Sequence, residues 1–418
     1  MVQTELQLDK NQIQEFTLES NSLLDKIARQ GAQQMLELAL LAEVEQYVSQ
    51  FTEVVDEDGN RMVVRNGYAK ARQVATGAGM LDIQTPRVDD RREGHKFTSS
   101  ILPPYMRKSP SLEKLIPALY LKGISTGQFK EALSALLGND APGLSSTTIS
   151  NMIKLWQDEF KEWNQRSLEG KKYVYIWADG VYLNVRLGDT DKVCLLVIMG
   201  TTEDGRKELI GVHSGYSESK QSWSELLLSL KKRGLKESPK LAVADGALGF
   251  WSALEEIYPT CKQQRCWVHK IANILNKMPK KTQDRAKDMI HNIFLSETKQ
   301  DALECYDEFL EKYQVKYPKA CECLSKDKDE LFAFFDFPAE HWIHIRTSNV
   351  IESVFSGVRH RTKRTKGHGN RETAEAMSWK LVMEAQKHWR RINGYKLIVK
   401  IYEGIQFKDG IELKKEAA

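Results

Sequence analysis

The chain of 418 residues is long enough for two or three domains with real cores, and its 41% hydrophobic and 28% charged residues are ordinary for a globular protein. The longest apolar run near the candidate acids, Val193–Met199, is too short to cross a bilayer, and an N-terminus carrying Glu5, Asp9 and Glu15 lacks the basic start of a signal peptide, so a cytoplasmic protein with no membrane partner is expected. The net charge of +4 hides an asymmetry: residues 1–60 hold 12 acidic and 3 basic side chains, whereas residues 353–418 hold 15 basic and 7 acidic, which favours a nucleic-acid partner beyond the acidic start.

Residues 18–50 read as helix, with Leu36, Leu40, Val44, Tyr47 and Val48 at helical spacing. Glu37, Glu43 and Glu45 lie off that stripe, and this acidic region, 1–60, suits a partner helix or a second subunit. Residues 61–110 form a small β-containing module with 10 basic and 4 acidic side chains, Arg65 among them, suited to gripping a phosphate backbone. Residues 111–165 are helical throughout. Gly123-Ile-Ser125-Thr126 makes one turn and Gly138–Gly143 a second break, after which Ser145-Ser-Thr-Thr-Ile-Ser-Asn151 opens a third helix. That order predicts a helix-turn-helix with Ser146, Thr147, Thr148 and Asn151 toward DNA, the alternative being a plain bundle whose hydroxyls are caps.

Period-two, β-branched character begins at residue 172. Tyr182–Leu187 and Val193–Met199 flank the turn-rich Gly188–Asp191, and Asp204-Gly205 precedes Glu208–Val212, predicting three strands joined by hairpins. A helix at Lys220–Arg233, a strand at Leu241–Ala244, a helix at Gly249–Ile257 and a short strand near Gln263–Val268 follow. Residues 281–344 are helical and charged, residues 349–392 return to long helix, and 396–418 form a tail. The order predicts an α/β fold: a mixed-sheet domain over 170–280 and 345–395, interrupted by an all-α insertion.

Ala-Asp-Gly occurs twice, at Asp179 and Asp245, each time closing a short apolar run, so both aspartates are expected at strand ends with the glycine leaving space beside them. With Glu352 projecting from a helix, they could hold two Mg²⁺ ions, or Mn²⁺ in their place, for phosphodiester chemistry. Taken singly, Asp-Gly is a common turn dipeptide, and Asn349-x-x-Glu352 fits a helix cap. Their β-to-α order favours the shared site. Cys266-x-x-His269 supplies half a zinc site, which Cys261 could extend; support of the acidic site by packing is the favoured reading. The six cysteines are too sparse for a disulfide scaffold, and reduced thiols are expected. Arg359–Arg371 holds six Lys/Arg and no acid. Arg359, Arg361, Lys363, Arg364 and Lys366 would follow Glu352 on one helix and meet phosphates, the alternative being a solvated surface.

The segments Arg65-Asn-Gly-Tyr68, Leu144–Ser150, Ala244-Asp-Gly with Gly249-Phe250, Arg265-Cys-Trp-Val-His-Lys270 and Thr347–Ser353 resemble the Mutator-type transposases of bacterial insertion sequences, over nearly the whole chain. The resemblance implies a ribonuclease-H-like core carrying a DDE triad, here Asp179, Asp245 and Glu352, with a helical insertion before the glutamate. It implies double-stranded DNA as partner, both terminal inverted repeats and target, with metal-dependent cleavage and strand transfer and no covalent protein–DNA link. Pairing two ends calls for at least a homodimer, and a nucleoid location follows. The rival expectations are a domesticated repressor and a structure-selective nuclease on the same core.

Overall fold

The computed structural model describes residues 20–124, 126–137, 146–186, 192–215, 217–365 and 367–413. Ser125, the Gly138–Gly143 break, Leu144, the side chain of Ser146, the Gly188–Asp191 turn and Lys366 therefore lie outside the described residues. The chain divides into two compact units, Met1–Ser150 and Asn151–Ala418.

In the first unit, α1 (Ser20–Ser49) buries Leu40 and Val44 from the predicted stripe. Strand β1 (Val63–Tyr68) pairs antiparallel with β4 (Pro86–Asp90), and β2 (Arg72–Thr76) with β3 (Gly79–Ile83). Leu40 joins Val74, Leu81, Ile83 and Leu102 in one apolar core. Glu43, on the acidic face of α1, is engaged within its own unit. Its carboxylate accepts from the hydroxyls of Ser99 and Ser100 and from the backbone amides of Ser100 and Ile101, tying α1 to that turn. Helices α2 (Pro110–Leu121) and α3 (Thr126–Leu137) pack on β2 and β3, whereas α4 (Ser146–Gln165) begins at the end of this unit and runs mostly in the second.

The second unit is built on a five-stranded mixed sheet. Its strands are β5 (Tyr175–Asn184), β6 (Lys192–Thr201), β7 (Lys207–Gly215), β8 (Leu241–Ala244) and β9 (Lys262–Arg265), in the order β7-β6-β5-β8-β9. Strands β5, β6 and β7 form antiparallel neighbours, as the hairpin signals require, while β8 and β9 run parallel to β5. Alternation along β5 sorts its side chains between two faces. Ile176 and Ala178 enter a core with Trp223 of α5 (Lys220–Lys232) and Phe250 of α6 (Leu248–Ile257). Tyr175 and Trp177 point the other way, where Tyr175 meets His341 Nδ1 at 2.6 Å and Trp177 donates to the His344 carbonyl at 3.0 Å. On that side α11 (Asn349–Arg364) packs on β5 and α12 (Arg371–Gln386) on β7.

Between β9 and α11 the chain is helical: α7 (Trp267–Leu275), α8 (Lys280–Leu295), α9 (Lys299–Tyr313) and α10 (Pro318–Ser325), then short turns to Ile345. Two expectations fail. Residues 349–392 are not one long helix; α11 ends at Arg364 and α12 starts at Arg371. Gly367 sits between them at φ +100, a left-handed conformation that ends helices. The second failure concerns Asp179-Gly180, which lies mid-strand, because antiparallel pairing with Val197 and Leu196 carries β5 through the dipeptide. Among the described residues no helix is long and apolar enough to cross a membrane, and all six cysteines are free.

Candidate active site

Strand register sets the first two acids side by side. The parallel pairing of β5 with β8 ends at Ala178↔Ala244, so Asp179 and Asp245 are each the next residue on adjacent strands. Beyond that pair β8 stops while β5 continues, which opens a notch at the sheet's edge. Asp179 is only 8% exposed, and its carboxylate accepts from the Gly180 amide at 2.8 Å. Burial raises its pKa to about 7 against that hydrogen bond, with the negative charges of Asp245 and Glu218 adding to the rise. Asp245 is braced on both sides: its carboxylate accepts from the Ala247 amide at 2.9 Å, and its carbonyl accepts from Arg265 Nη1 at 2.6 Å and from the Trp251 indole at 2.9 Å.

The third acid approaches from α11. Glu352 Oε1 accepts from the Ser348 hydroxyl at 2.8 Å and lies 3.7 Å from His269 Nδ1. Here the carboxylate reaches the Ser348 hydroxyl, in place of the Asn349 amide that a capping role calls for. Ser348, fully buried, also touches Cys266 Sγ at 3.1 Å and His269 Nδ1 at 3.3 Å. Hydrogen bonding to Cys266, with Glu352 and Asp179 adding, raises the His269 pKa to about 9 in spite of burial. These interactions favour the protonated form of His269 beside Glu352.

The ligand atoms of Cys266, His269 and Glu352 lie within 4.8 Å of one another, and Asp179 and Asp245 are outside that group. The hydroxyl of Ser348 bonds to all three of its members. Cys261 does not join them; its thiol donates to the Lys262 carbonyl. Cys266, His269, Ser348 and Glu352 therefore form one hydrogen-bonded cluster, which Asp179 reaches only through the electrostatic influence it exerts on His269.

Matched against protein families, residues 1–392 fit the model described as "Transposase, Mutator family". The chain belongs to the Mutator family of transposases. It is 44% identical over 304 residues to the transposase for insertion sequence element IS6120 of Mycolicibacterium smegmatis, covering 73% of this chain and 93% of that one. It is 45% identical over 289 residues to the transposase for element IST2 of Acidithiobacillus ferrooxidans, covering 68% and 95%. The transposase for IS905 of Lactococcus lactis is 31% identical over 311 residues, or 74% and 77%.

The basic tract of this transposase is only partly presented to solvent. Arg359, Lys363 and Arg364 are exposed along α11 together with Ser353, Ser356 and His360. Arg361 is 2% exposed, which removes it from the expected phosphate-facing set, because its position on α11 faces the core beside Val358 and Thr362. Arg65 is exposed and stacks on Tyr68 at 4.9 Å; Thr147 and Asn151 are exposed, and Thr148 is half-buried.

Three residues in and around the candidate site escaped the sequence reading. Ser348, inside the Thr347–Ser353 segment, joins three candidate side chains. Glu218, in the β7–α5 loop, lies within electrostatic reach of Asp179. Asp327 of the insertion bonds Arg265 at 3.1 Å and Lys270 at 2.8 Å, and Arg265 in turn holds the Asp245 carbonyl. The charges of the Arg265-x-x-x-x-Lys270 signature were the signal for that buried partner.

Proposed function

We propose that the chain binds the terminal inverted repeats of its own insertion sequence, cleaves at their ends and joins the freed 3′-hydroxyl to target DNA, with Asp179, Asp245 and Glu352 holding two Mg²⁺ ions or Mn²⁺ in their place. The observation that carries this reading is the register that sets Asp179 beside Asp245, with His269 3.7 Å from Glu352 and under the electrostatic influence of Asp179. The donors fit: carboxylate oxygens suit Mg²⁺, and crowded acids hold an excess of negative charge that a divalent cation offsets. Divalent ions at such a site supply charge relief at the reacting phosphate and lower the pKa of the attacking hydroxyl.

The chain's own contribution is placement. The two strands fix the spacing of Asp179 and Asp245, and Ser348 with His269 orients Glu352. Arg359, Lys363 and Arg364 on α11 hold backbone phosphates near the carboxylates. A five-stranded mixed sheet with a helical insertion before Glu352 supports a ribonuclease-H-like core. Residues 111–165, with the Ser/Thr/Asn-rich start of α4, supply the helix-turn-helix reading of the repeats.

Incubating the purified protein and Mg²⁺ with labelled inverted-repeat duplex, beside an unrelated duplex, tests the reading. Cleavage and joined products are expected on the repeat DNA alone. Equal cutting of both duplexes would establish a structure-selective nuclease, and selective binding without cutting would establish a repressor.

A further inference from the structure

Glu218 lies on the loop between β7 and α5, outside every motif considered above. Its carboxyl group rests over Gly180, the residue after Asp179. A Cβ added at Gly180 would stand 2.6 Å from the Glu218 carboxyl carbon and from one of its oxygens. Two residues further along the same face of β5, the Tyr182 phenol meets the Glu218 backbone amide. From the other side, a Cβ at Gly249 would stand 2.4 Å from the Glu218 carbonyl oxygen. Two glycines and a tyrosine thus form a seat for this carboxylate on the α5 side of β5, one residue past Asp179 and within electrostatic reach of it. The charged groups acting on it are Asp245, of the same sign, and His269.

Favourable interaction with the α5 N-terminus is the plainer role for such an acid. Yet Ser219 already caps that helix by accepting from the Ser222 amide, while the Glu218 side chain turns away toward Gly180. Half-burying a carboxylate near acids of the same sign costs free energy that His269 offsets in part and a bound divalent cation would offset further.

We infer that Glu218 is a fourth carboxylate of the catalytic centre, facing the divalent cation alongside Asp179 and Asp245 and seated there by the bare backbone of Gly180 and Gly249. This rests on the metal-dependent reading proposed above. Alanine fits the extended backbone at 180 but overlaps the seated carboxyl, so Gly180→Ala should displace Glu218 while every acid remains.

Mn²⁺ titration of the full chain, followed by calorimetry and by electron paramagnetic resonance, tests the inference. Glu218→Gln is expected to weaken Mn²⁺ binding about 10- to 100-fold while inverted-repeat binding in metal-free buffer stays intact. Gly180→Ala should weaken it likewise, and adding the shorter acid in Gly180→Ala/Glu218→Asp should recover part of the loss. Asp245→Ala serves as the reference. If Asp245→Ala loses Mn²⁺ affinity while Glu218→Gln and Gly180→Ala keep that of the wild type, the role of Glu218 is refuted and the triad stands. Wild-type Mn²⁺ affinity in Asp245→Ala would refute the metal site itself. Should Glu218→Gln fail to fold, Gly180→Ala alone decides between these outcomes.

Discussion

A single buried hydroxyl holds the most contacts in the candidate site. Ser348 bonds Cys266, His269 and Glu352 at once, so removing it leaves three polar groups to find new partners. Ser348→Ala is expected to cost about 1–3 kcal/mol in denaturant unfolding and to slow cleavage, because Glu352 is no longer held. Ser348→Thr retains the hydroxyl and should restore the rate, an outcome that a purely volumetric role at this position would not produce. The sequence announced Asp179, Asp245 and the Cys-x-x-His pair because each borders an apolar run that pattern alone reveals. Glu218 was illegible for the opposite reason: Ser217-Glu-Ser219 resembles any polar loop, and its significance lies in glycines 38 positions before it and 31 after it.

Elements were more legible than their ends. The three hairpin strands, β8, α6 and the helical insertion were all visible in periodicity, since each buries a regular stripe. Asp179-Gly180 was read as a turn because local statistics cannot see β6, whose ladder keeps the dipeptide extended. The α11–α12 break was missed because Lys/Arg-rich helix and Lys/Arg-rich loop look alike in composition. That break places Lys363 and Arg364 at the exposed end of α11. Changing both to Gln should weaken binding to all duplexes alike and flatten the slope of log affinity against log salt by about 2, measured by anisotropy titration. The break also buries His368, whose Nε2 lies 3.0 Å from the Thr362 hydroxyl. Burial, with the nearby charges of Arg361 and Arg186, lowers its pKa from 6.5 to about 4. Its unfolded form binds a proton more readily, so stability should be full above pH 6.5 and fall toward pH 4, by up to about 1.4 kcal/mol per pH unit. Thermal melts between pH 5 and 6.5 should show this slope in the wild type and a shallower one in His368→Asn.

Across the whole molecule, the family and most of the second unit's architecture were accessible from motifs. The network linking Asp327 to Asp245, by contrast, needed the insertion folded back on α7 to be seen. Transposition requires two DNA ends in one assembly, so light scattering of the protein with inverted-repeat duplex should give at least two chains per complex. One joint in the second unit bears on how such an assembly responds. Just past the basic end of α11, the His368 amide donates to the Asn184 carbonyl at 2.9 Å, and the Arg186 amide donates to the His368 carbonyl at 3.0 Å. The segment that leaves α11 is thereby stitched to the strand that carries Asp179. If metal and DNA binding are coupled through this joint, thermodynamic reciprocity makes the effect equal in both directions. In a cleavage-dead variant that still binds metal, the factor by which Mn²⁺ tightens DNA binding must equal the factor by which DNA tightens Mn²⁺ binding. A value well above one would make this transposase a sensor that commits its metal only when a duplex is in hand.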